Sequence, residues 1–222
     1  MVVYRLVMTV QSPPEKPQVS LVYTYQNGLY VNLTSRCPTA CAFCIKFSWD
    51  YLYRGSNLKL KSEPRIEEML EAAGPDLSGY EEVIFCGYGE STYRVKEMEA
   101  LSKEFRARGA RRIRLNTIGL GNLINGRDIT PDLGRFLNAV SISLNTMNPQ
   151  KYVEIHRPLP EYRDKAFQSA CDFAKACVRA VPDTTVTTVE LPGIDTAEVE
   201  KFAAEIGAAF RLRPHLDDYQ TQ

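Results

Sequence analysis

Apolar positions along this chain alternate between two periods, close to two residues in short β-rich runs and close to 3.6 in the longer stretches between them. Residues 1–10 alternate enough to predict a strand, and residues 11–17, with three prolines, read as a linker. Residues 21–25 and 29–33 are β-rich runs flanking Asn27-Gly28, a pair suited to a type I′ hairpin because both residues accept positive φ. The second run leads directly into a loop holding three cysteines. An irregular aromatic stretch follows at 47–53 and contains the only tryptophan, Trp49.

From there the pattern repeats. Ile66, Met69, Leu70 and Ala73 fall at helical spacing, with Pro64 in the first turn and Gly74 as the stop. Strands are predicted over 82–86, 112–116, 140–144, 185–189 and 210–213. Between them lie helices marked by Val95, Met98, Leu101 and Phe105; by Leu133, Phe136 and Leu137 after Thr130-Pro131; and by a short segment from Asn148-Pro149 to about His156. A longer helix carries Phe167, Ala170, Cys171, Ala174 and Val178, and Asp195 with Glu198 opens the last one as a capping pair. Six strands follow the first hairpin arm and alternate with helices, which argues for parallel pairing and right-handed crossovers. The expected fold class is α/β, an open, partial (β/α)6 barrel. The expected organisation is an N-terminal extension over 1–20 and one core domain over 21–222.

In such a barrel the loops after the carboxyl ends of the strands converge on one mouth. The first of these is Cys37-Pro-Thr-Ala-Cys41-Ala-Phe-Cys44. Three close thiols with no fourth cysteine suit an iron-sulfur cluster in which one iron lacks a protein ligand. Zinc normally takes four ligands in two pairs, and no second Cys-x2-Cys or His pair follows. A redox pair at Cys41 and Cys44 leaves Cys37 unexplained. The spacing favours the cluster, with zinc and buried unligated thiols as the alternatives.

The composition narrows the setting. The 222 residues are 44% hydrophobic and 24% charged, which is ordinary globular composition. Lys plus Arg and Asp plus Glu both number 27, so net charge gives no reason to expect nucleic-acid binding. No apolar run is long enough to span a bilayer and the first ten residues lack the features of a secretory signal, so the expected location is the cytoplasm. Six cysteines there read as thiols or metal ligands.

Cys37, Cys41 and Cys44, with the aromatic Phe43 inside the motif, resemble the Cys-x3-Cys-x2-Cys signature of the radical S-adenosylmethionine (radical SAM) superfamily. The resemblance implies one [4Fe-4S] cluster on the three cysteines. It further implies S-adenosyl-L-methionine chelated at the open iron and cleaved reductively to a 5'-deoxyadenosyl radical that abstracts hydrogen from a substrate. The run Gly87-Tyr88-Gly89-Glu90-Ser91 resembles the family's Gly-Gly-Glu-Pro motif, with Tyr88 in place of a glycine and Ser91 in place of the proline. By this likeness Tyr88, Gly89 and Glu90 bind the amino group of the methionine moiety. Polar groups closing the next strands, Asn116, Ser143 and Asn145, together with Arg157, are the implied partners of its carboxylate and ribose. Read without the resemblance, the glycine turn is a tight connection and the strand-end polar residues are turn and cap formers.

Over residues 21–215 the chain is similar to one branch in particular, the TatD-associated radical SAM proteins. A substrate does not follow from that likeness. An external one-electron donor such as flavodoxin or ferredoxin is implied. A glycyl-radical activase acting on a partner protein and a non-catalytic zinc or iron-sulfur module are the competing readings. Cys171, on an apolar stripe, is expected in the core. His156 and His215 have no triad or zinc-motif neighbours in sequence and are expected to be structural or exposed.

Overall fold

The computed structural model describes residues 17–216. The strand expected over 1–10 and all but the last residue of the expected linker lie outside the described residues. Strands β1 (Val22–Tyr25) and β2 (Gly28–Val31) pair antiparallel. β2 then leads a parallel series of β5 (Glu82–Phe85), β6 (Ile113–Thr117), β7 (Ala139–Ser143), β8 (Asp183–Val189) and β9 (Ala209–Arg213). The sheet order is β1-β2-β5-β6-β7-β8-β9, with β1 and β9 left as edges, so six parallel strands form an open, partial barrel. Helices α2 (Ile66–Ala73), α3 (Val95–Ala107), α5 (Thr130–Phe136), α6 (Pro149–His156), α7 (Ala166–Ala180) and α8 (Thr196–Ile206) fill the crossovers.

Three local expectations change. The hairpin pairs Tyr25 with Gly28, so its turn residues are Gln26 and Asn27, and it is Gln26 that takes the positive φ, 51°. Gly28 serves packing instead: a Cβ there would sit 2.7 Å from Ile84 Cδ1 on the neighbouring strand. The aromatic stretch after the cysteines is ordered as a short helix, α1 (Ile45–Ser48), and a small hairpin of β3 (Leu52–Tyr53) with β4 (Ser56–Asn57). Pro64 precedes α2 rather than opening its first turn, because Arg65 is the N-cap and donates its N–H to Glu68 at 2.7 Å. The loop after β6 also contains a short helix, α4 (Gly121–Asn125).

The core lies between the convex side of the sheet and the helices. Leu29, Val31, Val83, Phe85, Ile113, Leu115, Val140, Ile142 and Val186 pack there against Met98, Leu101 and Phe105 of α3 and Ala170, Phe173 and Ala174 of α7. Each fully buried large side chain of this kind contributes roughly 1.5–3 kcal/mol. Residues alternating with these along the strands point to the concave side. In β6 the sequence Ile-Arg-Leu-Asn-Thr has its odd members buried and Arg114 and Asn116 half-buried. A sheet packed on both faces reads as continuous apolar runs; this alternation marks the concave face as polar.

Candidate metal and cofactor site

The cysteine loop follows β2 at the carboxyl end of the sheet, and its backbone is tied to the segment after α6. Ala42 N–H donates to Ile155 O at 2.7 Å, Ala40 N–H to Arg157 O at 3.1 Å, and Leu159 N–H to Pro38 O at 2.9 Å. Arg157 adopts the left-handed conformation, φ 47°, that turns the chain out of α6 and presents its carbonyl to the loop. At Arg157, then, the tie to the cysteine loop is through the main chain.

Within the loop the Thr39 hydroxyl lies between two thiols, 3.4 Å from Cys37 Sγ and 3.3 Å from Cys41 Sγ. Burial pushes Cys41 up to about 12 despite the Thr39 hydrogen bond, and the nearby Cys37 and Cys44 raise it further. Burial also raises Cys37, where Thr39 and, more weakly, the Lys46 ammonium favour the thiolate. Among the described residues, no group of three or more His, Cys, Asp or Glu side chains converges on one ion position.

His156 is the neighbour that the sequence did not reveal. It is fully buried, its Nδ1 lies 3.5 Å from Cys41 Sγ, and its Nε2 lies 3.2 Å from Leu144 O and 3.1 Å from the Asn145 amide nitrogen. Burial lowers its pKa to about 4, so the ring is neutral near pH 7. Phe43 meets it edge-on, with ring centroids 5.4 Å apart. His156 is 115 positions from Cys41 in sequence, so the only available signal was its place at the end of α6.

The glycine turn after β5 packs against the chain entering the cysteine loop. A Cβ on Gly89 would lie 2.2 Å from Thr34 O and 2.7 Å from Arg36 O, and Glu90 N–H donates to Arg36 O at 2.8 Å. The glycine therefore permits a backbone-on-backbone approach. Tyr88 donates its hydroxyl to Leu52 O at 2.7 Å, which joins the turn to the small hairpin. Glu90 is 2% exposed. Its Oε1 accepts from Thr92 N–H and Oγ1, and its Oε2 from Thr117 Oγ1 and Ile118 N–H, at 2.8–3.1 Å. Burial raises its carboxyl above the usual range, against the pull of those donors.

The strand-end residues divide into two kinds. Asn116 and Ser143 stand on the concave side, where Asn116 Oδ1 accepts from Arg114 and Ser143 Oγ from Arg213. Asn145 is wholly buried at φ 69°; its Oδ1 accepts from Val189 N–H at 2.9 Å and its Nδ2 donates to Ser143 Oγ at 3.1 Å. It braces the end of β7 against that of β8. Cys171 and Cys177 are buried on α7, away from the loop. Among the described residues no helix is long and apolar enough to cross a membrane.

Fold and site together define an open parallel α/β barrel whose carboxyl mouth carries a triple-thiol loop braced by a glycine turn. A family model described as the radical SAM superfamily matches residues 31–206, and the chain belongs to that superfamily. No curated protein matches it. Among solved structures it is similar to SuiB of Streptococcus suis bound to the precursor peptide SuiA, at TM-score 0.64 and 15% identity over 88% of this chain and 40% of that one. It is also similar to the FeFe-hydrogenase maturase HydG from Carboxydothermus hydrogenoformans, at TM-score 0.61 and 16% identity over 87% and 45%. A third is methylornithine synthase (PylB), at 0.56 and 12% over 87% and 55%. The chain thus spans about half the length, or less, of these neighbours, and the likeness is one of fold.

Proposed function

We propose that this chain is a radical SAM enzyme holding one [4Fe-4S] cluster through Cys37, Cys41 and Cys44, binding S-adenosyl-L-methionine beside it and abstracting hydrogen from a substrate. The observation that carries the reading is a backbone-pinned loop at the barrel mouth that carries three cysteines, two of whose thiols, Cys37 and Cys41, flank the Thr39 hydroxyl. The donor set suits a cluster, in which each iron takes one thiolate, better than a single ion that all three would share. When bound, the cluster supplies the electron that cleaves the sulfonium.

The chain's own residues hold and shield. Thr39 sets the two thiols it touches, and Phe43 with neutral His156 closes the loop from behind. Tyr88, Gly89 and the turn they form lie beside the loop on the side assigned to the methionine amino group. Glu90, with its oxygens engaged, acts there as a positioning residue that fixes Thr117 and Ile118. Asn116 and Ser143 face the concave side, suited to the cofactor carboxylate or ribose; Asn145 and Arg157 position the strand end and the cysteine loop. We place the chain in the TatD-associated branch, on the motifs from Gly28 to Gly193, as one core domain served by an external flavodoxin or ferredoxin in a reducing cytoplasm; none of its six cysteines forms a disulfide.

The test is turnover without a known substrate. Anaerobic protein given dithionite and S-adenosylmethionine is expected to release 5'-deoxyadenosine, and Cys41→Ala is expected to abolish it. Equal release by the variant would contradict the assignment.

A further inference from the structure

The net charge of the chain is zero, yet its concave face is not neutral. Register places Tyr30, Ile84 and Arg114 side by side across β2, β5 and β6. It places Ser143, Thr187 and Arg211 side by side across β7, β8 and β9, with Arg213 one step nearer the mouth on the same face. Three guanidiniums therefore look into one hollow. Of the three, only Arg114 has a carboxylate partner among the described residues, Glu82, which accepts from it at 2.9 Å and is already shared with Arg112 at 2.7 Å. Burial opposes Glu82 ionisation, but the Arg114 and Arg112 charges outweigh it and hold its carboxyl low.

Arg211 and Arg213 have no such partner. Neither forms an ion pair among the described residues. Arg213 donates Nη2 to Ser143 Oγ at 2.7 Å, but its buried Nε has no hydrogen-bond partner among the described residues. Leaving a charged donor dry and unpaired is costly. Burial depresses the pKa of both arginines; at Arg211 the Arg114 charge adds to it while Tyr30 and Glu82 oppose it, and at Arg213 Cys86 opposes it while Arg211 adds to it. A hollow that gathers like charges and leaves the buried Arg213 Nε without a partner is arranged for a ligand of opposite charge.

We propose that Arg211 and Arg213, on the last barrel strand, form an anion subsite that selects a substrate bearing a phosphate or carboxylate group and holds it on the concave face below the cysteine loop. The inference rests on the reading of the chain as a radical SAM enzyme for the word substrate; the anion subsite itself rests on the sheet. The two arginines stand on strand β9, outside the cysteine loop, so the subsite is present in metal-free protein.

The test uses three probes that share one ring, phenyl phosphate, benzoate and phenol, titrated into anaerobically reconstituted protein and into metal-free protein. Phenyl phosphate or benzoate is expected to bind and phenol not, and the tighter of the two anions names the group. Arg211→Gln and Arg213→Gln are each expected to weaken the anion about tenfold. Arg65→Gln, on the exposed face before α2, is expected to leave it unchanged. Arg211 is exposed, so its variant is the one least able to disturb folding, and thermal midpoints are recorded for each. S-adenosylmethionine affinity is measured on the same samples and is expected to stay within about twofold in Arg211→Gln, the variant that does not touch Ser143. The inference is overturned if no anion binds at millimolar concentration, if phenol binds as well as the anions, or if the variants lose S-adenosylmethionine while keeping the probe. Iron content separates the two claims: arginine-dependent probe binding in a protein that takes up no iron keeps the subsite and removes the proposed enzyme, and the converse result removes the subsite alone.

Discussion

At Gly89 a single hydrogen decides how close two strand ends come. The space its Cβ would need is occupied by Thr34 O, at 2.2 Å, and neither backbone has a flexible end to yield. Gly89→Ala is therefore expected to cost roughly 3 kcal/mol in urea denaturation and to loosen the cysteine loop it abuts. Glu90 makes the neighbouring case in hydrogen bonds. Both of its oxygens accept, one from Thr92 and the other from Thr117 and Ile118. Glu90→Gln turns one acceptor into a donor facing donors, with an expected loss of about 1–3 kcal/mol in the same assay. The glutamate was legible in the sequence as a member of a turn motif. Its use was not, because Thr117 and Ile118 lie 27 and 28 positions away and meet it only when β5 and β6 align.

At the scale of elements, the cysteine loop is held by a partner it never neighbours in sequence. The chain leaving α6, with Arg157 in the left-handed conformation, supplies two carbonyls to Ala40 and Ala42. Ala42→Pro removes the N–H that reaches Ile155 O. It is expected to lower the iron retained after gel filtration several-fold while the thermal midpoint of the metal-free protein shifts little. The strands and helices themselves were readable because each carries its own period, 2 or 3.6, in its own residues. What local periodicity does not encode is which surfaces meet: His156 against Cys41, Asn145 against Val189, Gly28 against Ile84. The hairpin turn shifted by one residue for the same reason. Asn27-Gly28 has the better turn chemistry, but the space beside Ile84 needs the glycine within the strand.

Seen whole, the molecule separates stability from its chemistry. The apolar core between the convex sheet and the helices includes none of Cys37, Cys41 and Cys44. Metal-free protein is therefore expected to keep its far-ultraviolet circular dichroism and a cooperative thermal transition. Loss of both on chelation, as in small domains folded by their metal, would make the cysteines a structural site. The open side between β1 and β9 leaves a polar hollow of arginines and tyrosines facing the same mouth as the thiols.

The central claim is that three thiols share one cluster, and its most direct measurement is the iron and acid-labile sulfide content of anaerobically purified, reconstituted protein. The account predicts about four of each per chain, and little of either in the Cys37→Ala, Cys41→Ala and Cys44→Ala variants. Stoichiometric zinc without sulfide, or an iron content that the three substitutions leave unchanged, would contradict it.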